Sequence, residues 1–381
     1  MIQRTNSPRA PIDRAHAPST PITPALDETL EEPWYDGDDA IVALREYDSE
    51  DEQAEHELPL NMKSFRGGAS RECEVWVPGR GLSGMHFLLE RRGRQLLLHD
   101  QHSTHGVVHA GRKTDAIYLS PGDKFTARPM TFVALNHEMR MQRRLLVELL
   151  GIDFAPWSPD KLMIEAAKGL GNVLITGETG CEHEQLARAI HAMSLVRNRL
   201  LITCTAIPVE RDTQTALVKQ AARSTLILPL NDKMRGVDPT FASLLFSRAY
   251  RVRVIVTAST QALARRLLPR EAVDQMQHVW IRPIAVRAGE LPTLLDRLLC
   301  QRGAPKRFAD LTGANQERFR RHPWRKNWEE LRVAADRLAA IARTPSWEVL
   351  AWRERAAAIG VAKSTLVDWH KTLKLSKPLY T

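Results

Sequence analysis

The pattern of apolar and polar positions divides the chain into stretches with different grammars. Residues 1–60 show no sustained apolar period, hold seven prolines and carry an acidic run from Asp48 to Glu57. That composition reads as a disordered arm. Inside it, Ala40 to Leu44 is apolar enough for a short helix but too short to stand alone. From Met62 to about Asn136, short β-type runs alternate with turns. The runs are Glu74-Val75-Trp76-Val77, Met85 to Leu89, Gln95 to Leu98, Gly106-Val107-Val108 and Lys124 to Ala127, bounded by Pro78-Gly79, Arg91 to Gly93 and Pro121-Gly122-Asp123. The spacing predicts a small β-sandwich with no useful helix in it.

After an amphipathic connector from Met139 to Leu150 the grammar changes again. Val173-Leu174-Ile175 leads into a glycine-containing turn and a helical run from Glu184 to Met193. Leu200 to Cys204, Thr225 to Leu228 and Val252 to Val256 read as further buried strands, with helices over Asp212 to Ala222 and Phe241 to Tyr250. Such alternation predicts a parallel sheet with helices on both faces. Residues 289–343 are purely helical, and 346–381 form a short basic helical end. The expected division is therefore a disordered acidic arm (1–60), a sandwich (61–137), an α/β core (138–285), a helical segment (286–345) and a small all-α end (346–381).

A length of 381 residues fits this multidomain reading, since one hydrophobic core seldom serves so long a chain. Nothing approaches 18 consecutive apolar residues, and the N-terminus has no basic-then-apolar signal, so no membrane partner is expected. Cys73, Cys181, Cys204 and Cys300 are scattered without a C-x-x-C pair, which argues against zinc or a disulfide framework. A cytoplasmic protein is predicted. The formal charge of +9 conceals a split: residues 1–60 hold four Lys/Arg and fifteen Asp/Glu, leaving a net of +20 on the rest. A body that basic makes nucleic acid a reasonable partner.

Two strings in the sandwich carry candidate chemistry: Ser83-Gly84-Met85-His86 after a Gly-Arg-Gly turn, and Ser103-Thr104-His105-Gly106 after Asp100. With the strand spacing they resemble a forkhead-associated (FHA) domain, whose loops bind phosphothreonine through converging hydroxyls, N–H groups and an arginine. The resemblance implies phosphate contacts from Ser83 and Thr104, with His86 as the buried brace of their loop. It also implies two departures. Ala69 stands at the phosphate-binding arginine, and His105 replaces the asparagine that grips the peptide backbone. Arg66, Arg71 and Arg80 are the candidate substitutes. Phosphopeptide binding and a purely structural interaction module both remain open.

Residues 177–191, GETGCEHEQLARAIH, lie between a predicted strand and helix. A phosphate-binding loop there needs glycines, a lysine and a helix N-terminus; the lysine is missing. The string resembles the loop GETGTGKELVARAIH of the AAA+ domain in bacterial enhancer-binding proteins, the activators of sigma-54 RNA polymerase. Over Gly177, Glu178, Thr179, Gly180, Cys181, Glu182, His183 and Glu184, the resemblance sets Glu182 at a glycine and His183 at the lysine. Pro229 and Leu230 fall on the two carboxylates of the family's G-T-L-F-L-D-E strand. Arg270 matches one arginine-finger position and Met276 replaces the other. In Pro323 to Leu331, which resembles the lid string P-W-P-G-N-V-R-E-L, Glu329 replaces the nucleotide-sensing arginine. Only nineteen residues, 205–223, occupy the place of the sigma-contacting loop. These replacements predict a pseudo-ATPase with no catalytic residue, no metal and no required cofactor, weak residual ATP binding being left open.

Residues 301–381 hold 17 Lys/Arg and 8 Asp/Glu. Inside them Arg355 to Leu366 reads as helix, glycine turn, helix, with Gly360 at the turn and Val361 packed between. The string resembles a Fis-type helix-turn-helix, which implies DNA contacts from Lys363, Ser364 and Thr365 and backbone contacts from His370, Lys371 and Lys374. Leu366, Trp369 and Leu373 share one face and read as core. The chain is thus expected to be a DNA-binding regulator of the sigma-54 activator type without ATPase chemistry. A homo-oligomer, or a mixed oligomer with AAA+ relatives, is the implied assembly. Two alternatives stay open: an active activator using substitute residues, and a phospho-dependent adaptor without DNA binding.

Overall fold

The computed structural model describes residues 40–47, 54–93, 95–151, 158–169, 171–194, 196–205, 207–234 and 236–381. Among the described residues, eleven strands build the sandwich. One sheet runs β2 (Glu55–Glu57), β1 (Ile41–Glu46), β11 (Met130–Asn136), β10 (Lys124–Ala127), β7 (Val107–His109), β8 (Arg112–Thr114). The other runs β4 (Val75–Trp76), β3 (Ser64–Gly68), β5 (Phe87–Arg92), β6 (Gln95–Asp100), β9 (Ala116–Leu119). Alternate positions such as Phe65, Phe87, Leu89, Leu96, Leu98, Phe125 and Phe132 point inward and are wholly or almost wholly buried. All pairings are antiparallel except β3 with β4.

The arm ends earlier than the composition suggests. Ile41–Glu46 is a strand, not a helix, because β11 and β2 flank it and cover its backbone groups. The sandwich therefore starts at residue 41 rather than 61, while residues 1–39 and 48–53 of the expected arm lie outside the described residues. Glu55 and Glu57, the end of the acidic run, pair with Arg140.

Helix α1 (His137–Leu150) follows β11 directly, capped by the Asn136 side chain, which accepts from Met139 N–H. It joins the sandwich to the α/β core through one apolar cluster that includes Ala43, Val133, Leu135, Leu146, Leu149 and Leu150. A buried ion group supports the joint: Arg143 Nε donates to Asp160 Oδ1 at 2.5 Å, and Arg45 on β1 lies 3.9 Å from the same carboxylate. Asp160 sits in the first turn of α2 (Pro159–Lys168), where a carboxylate also complements the helix dipole.

The third sheet is parallel throughout, in the order β13 (Leu201–Thr203), β14 (Thr225–Pro229), β15 (Arg253–Ala258), β12 (Val173–Thr176), β16 (Gln277–Trp280). β12 and β15 are buried along their whole length, as strands covered on both faces must be. Helices α3 (His183–Ala192), α4 (Arg211–Gln220), α5 (Pro239–Leu245), α6 (Gln261–Leu267) and α7 (Arg270–Asp274) connect them. α5 stops five residues short of the expected Tyr250. Connections leave β12 toward β13 on one side, and the chain returns to β16 on the other, so a crevice opens beyond the C-terminal ends of β12 and β14.

The remaining helices are α8 (Leu291–Gln301), α9 (Gly313–Arg321), α10 (Asn327–Arg343), α11 (Trp352–Ala358) and α12 (Lys363–Thr372). Leu291, Leu294, Leu295 and Leu298 form the buried stripe of α8, as their spacing predicts. The basic end is not an independent unit. Leu366, Trp369, Leu373 and Leu379 belong to the same cluster as Leu331, Leu338 and Phe319 of the preceding helices. Asn315, fully buried on α9, fixes the last residues: its amide donates to the carbonyls of Ser376, Pro378 and Leu379 at 3.1, 3.2 and 3.1 Å, and its Oδ1 accepts from Ser376 N–H.

Candidate functional site

Three places collect the chemistry-bearing residues. In the crevice beyond β12, the loop Gly177 to Glu182 turns into α3. Its first polar side chain folds back on it. His183 Nε2 donates to Gly177 carbonyl oxygen at 3.0 Å, and burial holds the imidazole below its ordinary pKa, so the ring is neutral. Cys181 is buried beneath, its thiol pushed up to about 12 mainly by desolvation. Glu182 takes a left-handed backbone (φ 62°) and pairs with Arg332 of α10.

The helical segment closes over this loop. Trp328 N–H donates to Gly180 carbonyl at 3.0 Å. Asn327 Nδ2 donates to Thr179 carbonyl at 3.0 Å and lies 3.4 Å from Glu178 Oε2, while Asn327 Oδ1 accepts from Ile284 N–H at 2.9 Å. Asn327 is fully buried, so each of these bonds replaces water that the amide no longer has. The guanidiniums of Arg287 and Arg332 each lie 5.9 Å from the Trp328 ring centre. Loop and α10 are thus held by direct protein contacts.

What remains is a cavity of about 430 Å³ whose lining includes Gly180, His183, Thr203, Thr257 and the three carboxylates Glu182, Glu184 and Glu329, over a floor of Ile227 and Pro229. Arg332, Arg188 and Lys326 neutralise those carboxylates in turn. A magnesium triphosphate asks for a permanent cation in the loop and carboxylates beside the metal. Here the loop position holds a neutral, internally bonded imidazole, and β14 ends at Pro229, followed by buried Leu230. Among the described residues, no group of three His, Cys, Asp or Glu is disposed to hold a metal ion. Arg270 is exposed at the start of α7, and Met276 is buried.

At one end of the sandwich, Ser83 and Thr104 come together as expected: their hydroxyls are 3.4 Å apart, and Thr104 N–H donates to Ser83 Oγ at 3.2 Å. His86 braces them from below. It is fully buried, its Nδ1 accepts from Ser83 N–H at 3.3 Å, and its Nε2 therefore donates to Gly106 carbonyl at 3.4 Å. Burial lowers its pKa, which keeps this tautomer neutral. Ser103 closes the second loop, giving its hydroxyl proton to Asp100 and accepting from Gly106 N–H. His105 is exposed on that loop.

The expected substitute arginines are engaged elsewhere. Arg66 binds Glu74 at 2.9 Å, holding that carboxylate down to about 2. Arg80 pairs with Glu46 at 3.4 Å, and Arg71 lies over the Trp76 ring. Ala69 is built into the loop by backbone: its N–H donates to Ser83 carbonyl at 3.0 Å, and its own carbonyl accepts from Trp76 Nε1.

On α11 and α12 the predicted turn is present. Gly360 (φ 69°) follows α11, and Val361 N–H donates to Ala356 carbonyl at 3.0 Å. Lys363, Ser364, Thr365, Lys371 and Lys374 are exposed, whereas Leu366, Trp369 and Leu373 are buried. His370 is a correction. It is only 7% exposed, packed edge-on against Trp352 and Trp369, and burial with the nearby Arg355 and Lys377 pushes its pKa down to about 4. A neutral ring on the inner face cannot meet a DNA phosphate.

That shift predicts a pH response. The folded pKa lies below the ordinary 6.5, so the unfolded chain binds the proton more tightly. The stabilisation is complete above pH 6.5 and is lost as pH falls toward about 4, by roughly 3 kcal/mol in all. Urea midpoints between pH 7.5 and 4.5 are expected to fall less steeply in His370→Gln than in the unmodified chain. Parallel profiles would show that His370 does not titrate on unfolding.

The FHA-domain family model matches residues 65–127. Among solved structures, NtrX from Brucella abortus in complex with ATP is similar at 17% identity and a TM-score of 0.39, covering 63% of this chain and 68% of its own. The FHA domain of the CT664 protein from Chlamydia trachomatis is 19% identical with a TM-score of 0.23, covering 25% of this chain and 96% of that one. Mycobacterium tuberculosis EmbR in complex with a low-affinity phosphopeptide is 18% identical with a TM-score of 0.23, over 25% of this chain and 24% of EmbR. No curated protein matches the chain. The protein therefore carries an FHA domain, followed by a parallel α/β sheet with helices. Among the described residues no helix is long and apolar enough to cross a membrane.

The sequence did not single out Asn327 or Arg332, although Asn327 stands at the asparagine of the lid string it resembles.

Proposed function

We propose that this chain is a cytoplasmic, DNA-binding transcriptional regulator with the architecture of sigma-54 activators but without their ATP hydrolysis. It acts by occupying DNA as an oligomer, through α11 and α12, while the FHA domain recruits a phosphothreonine-bearing protein. The observation that carries this reading is the loop Gly177 to Glu184, filled by His183 and Cys181 and held to α10 by Asn327 and Trp328. A nucleotide-driven motor needs that loop free to wrap phosphates and that helix free to respond. Exposed Lys363, Ser364, Thr365, Lys371 and Lys374 beside a buried Leu366–Trp369–Leu373 face support the DNA role.

The test is ATP turnover by the unmodified chain and by His183→Lys, with magnesium. Neither is expected to hydrolyse ATP, because the lysine variant still lacks the carboxylates at Pro229 and Leu230. Magnesium-ATP at saturating concentration is expected to leave the melting temperature of the unmodified chain in place, whereas a ligand at a hundred times its Kd adds about 2.7 kcal/mol. Magnesium-dependent hydrolysis by the unmodified chain would instead make it an active ATPase using substitute residues.

A further inference from the structure

Lys113 stands beside the recognition loops with a charge that no described residue neutralises. On β8 it lies opposite Val108 of β7, and its side chain runs diagonally back along the hairpin to Gly106. The approach is close. A Cβ built on Gly106 meets Lys113 Cε at 2.0 Å and Nζ at 2.7 Å. Gly106, at φ 71°, supplies both the turn and the space that the lysine occupies. Lys113 is exposed and, among the described residues, has no ion-pair partner. Arg66 and Arg80, by contrast, are held by Glu74 and Glu46.

Gly106 is also the residue whose carbonyl accepts from His86, the brace of the Ser83 loop, and Ser83 and Thr104 meet just before it. The hydroxyl pair and the ammonium thus converge on Gly106 from its two sides. We infer that Lys113 is the phosphate-facing cation of this FHA domain, filling from the β7–β8 hairpin the role that Ala69 leaves empty on the β3–β4 side. The ligand class is a phosphothreonine peptide, and the inference rests on the phosphothreonine reading proposed above. An ammonium is a point charge with three donors, so it attracts a dianion without the fixed two-pronged geometry of a guanidinium. Being exposed, it acts through a screened interaction, and binding weakens as salt rises.

The experiment uses the full chain on an array of phosphothreonine peptides and their unphosphorylated counterparts, followed by titration of the best binder. Lys113→Gln is expected to weaken phosphopeptide binding about tenfold or more, Lys113→Arg to restore most of it, and Ser83→Ala to weaken it independently. Phosphate-dependent binding that falls in Ser83→Ala but is unchanged in Lys113→Gln overturns the assignment of Lys113 and leaves the phosphothreonine reading standing. An array indifferent to phosphorylation overturns that reading and Lys113 with it. Because Lys113 is not part of the buried sandwich core, unchanged melting of the variants separates weakened binding from unfolding.

Discussion

Replacing Gly180 with alanine is expected to be among the most damaging single changes in the α/β core, although it adds one methyl group. Gly180 has φ 79°, a conformation that costs other residues about 1–2 kcal/mol. A Cβ there would also stand 2.1 Å from the backbone carbonyl oxygen of Lys326 and 2.8 Å from its carbon. Backbone cannot swing aside as a flexible side chain can, so either the loop or the start of α10 must move, at a further cost of about 1–3 kcal/mol. Moving it breaks the Trp328 N–H bond to Gly180 and draws on the buried Asn327 amide, whose partners are then left unsatisfied. Together these predict a loss of roughly 3 kcal/mol, read as the urea midpoint of the fluorescence transition of Trp324 and Trp328, both 1% exposed. Hydrogen exchange at Trp328 N–H should accelerate in parallel. Gly289→Ala is the control, since a Cβ there meets nothing within 4 Å and its φ is ordinary. Equal midpoints for the two variants would mean that loop and helix are not held together as described.

The same loop marks where sequence reading stops. The alternation of strand and helix from Met139 onward was legible because each element announces its own period: β12 and β15 through short apolar runs (Val173 to Ile175, Val254 to Val256), α3 and α8 as stripes. The loop between β12 and α3 could be located, and its missing lysine read directly. What fills the loop could not. Asn327 reaches Thr179 across 148 residues of chain, and no local pattern encodes such a meeting. β1 failed for the same reason. Its partner β11 begins at residue 130, so six apolar-rich residues beside an acidic run look like a helical fragment until the pairing is known. On α12, periodicity separated Leu366 and Trp369 from Lys363, but His370, which borders the buried stripe, was wrongly placed among the DNA backbone contacts. Burial decided it, and burial there comes from Trp352 on the preceding helix. Substitute cations were the least legible feature. Arg66, Arg71 and Arg80 were the natural candidates by proximity in sequence, but carboxylates or a ring hold all three, and the cation beside Gly106 is Lys113 on a different hairpin.

The proposed DNA binding carries the other large expected effect, and the fold dictates how it must be tested. Deleting everything after Arg343 is a poor experiment, because Leu366, Trp369, Leu373 and Leu379 form part of the core under α9 and α10. Removing them would expose apolar surface and confuse unfolding with a missing DNA-binding face. Charge reversal on the outer face avoids this. Lys363, Lys371 and Lys374 are exposed and make no contribution to that cluster, so Lys363→Glu, Lys371→Glu and Lys374→Glu together should leave the melting transition unchanged. Each phosphate that the protein no longer neutralises lowers the slope of log affinity against log salt by about 0.9. With all three lysines reversed, and repulsion in their place, binding to a promoter fragment should weaken about a hundredfold or more near 0.1 M salt, and the salt slope should flatten by about 3 units. Lys219→Glu, an equally exposed change in the last turn of α4, should leave both quantities in place. Salt-dependent DNA binding that survives the triple reversal would move the binding surface off α12. Absence of binding by the unmodified chain would leave the FHA domain as an adaptor, with α11 and α12 serving only to complete the helical core.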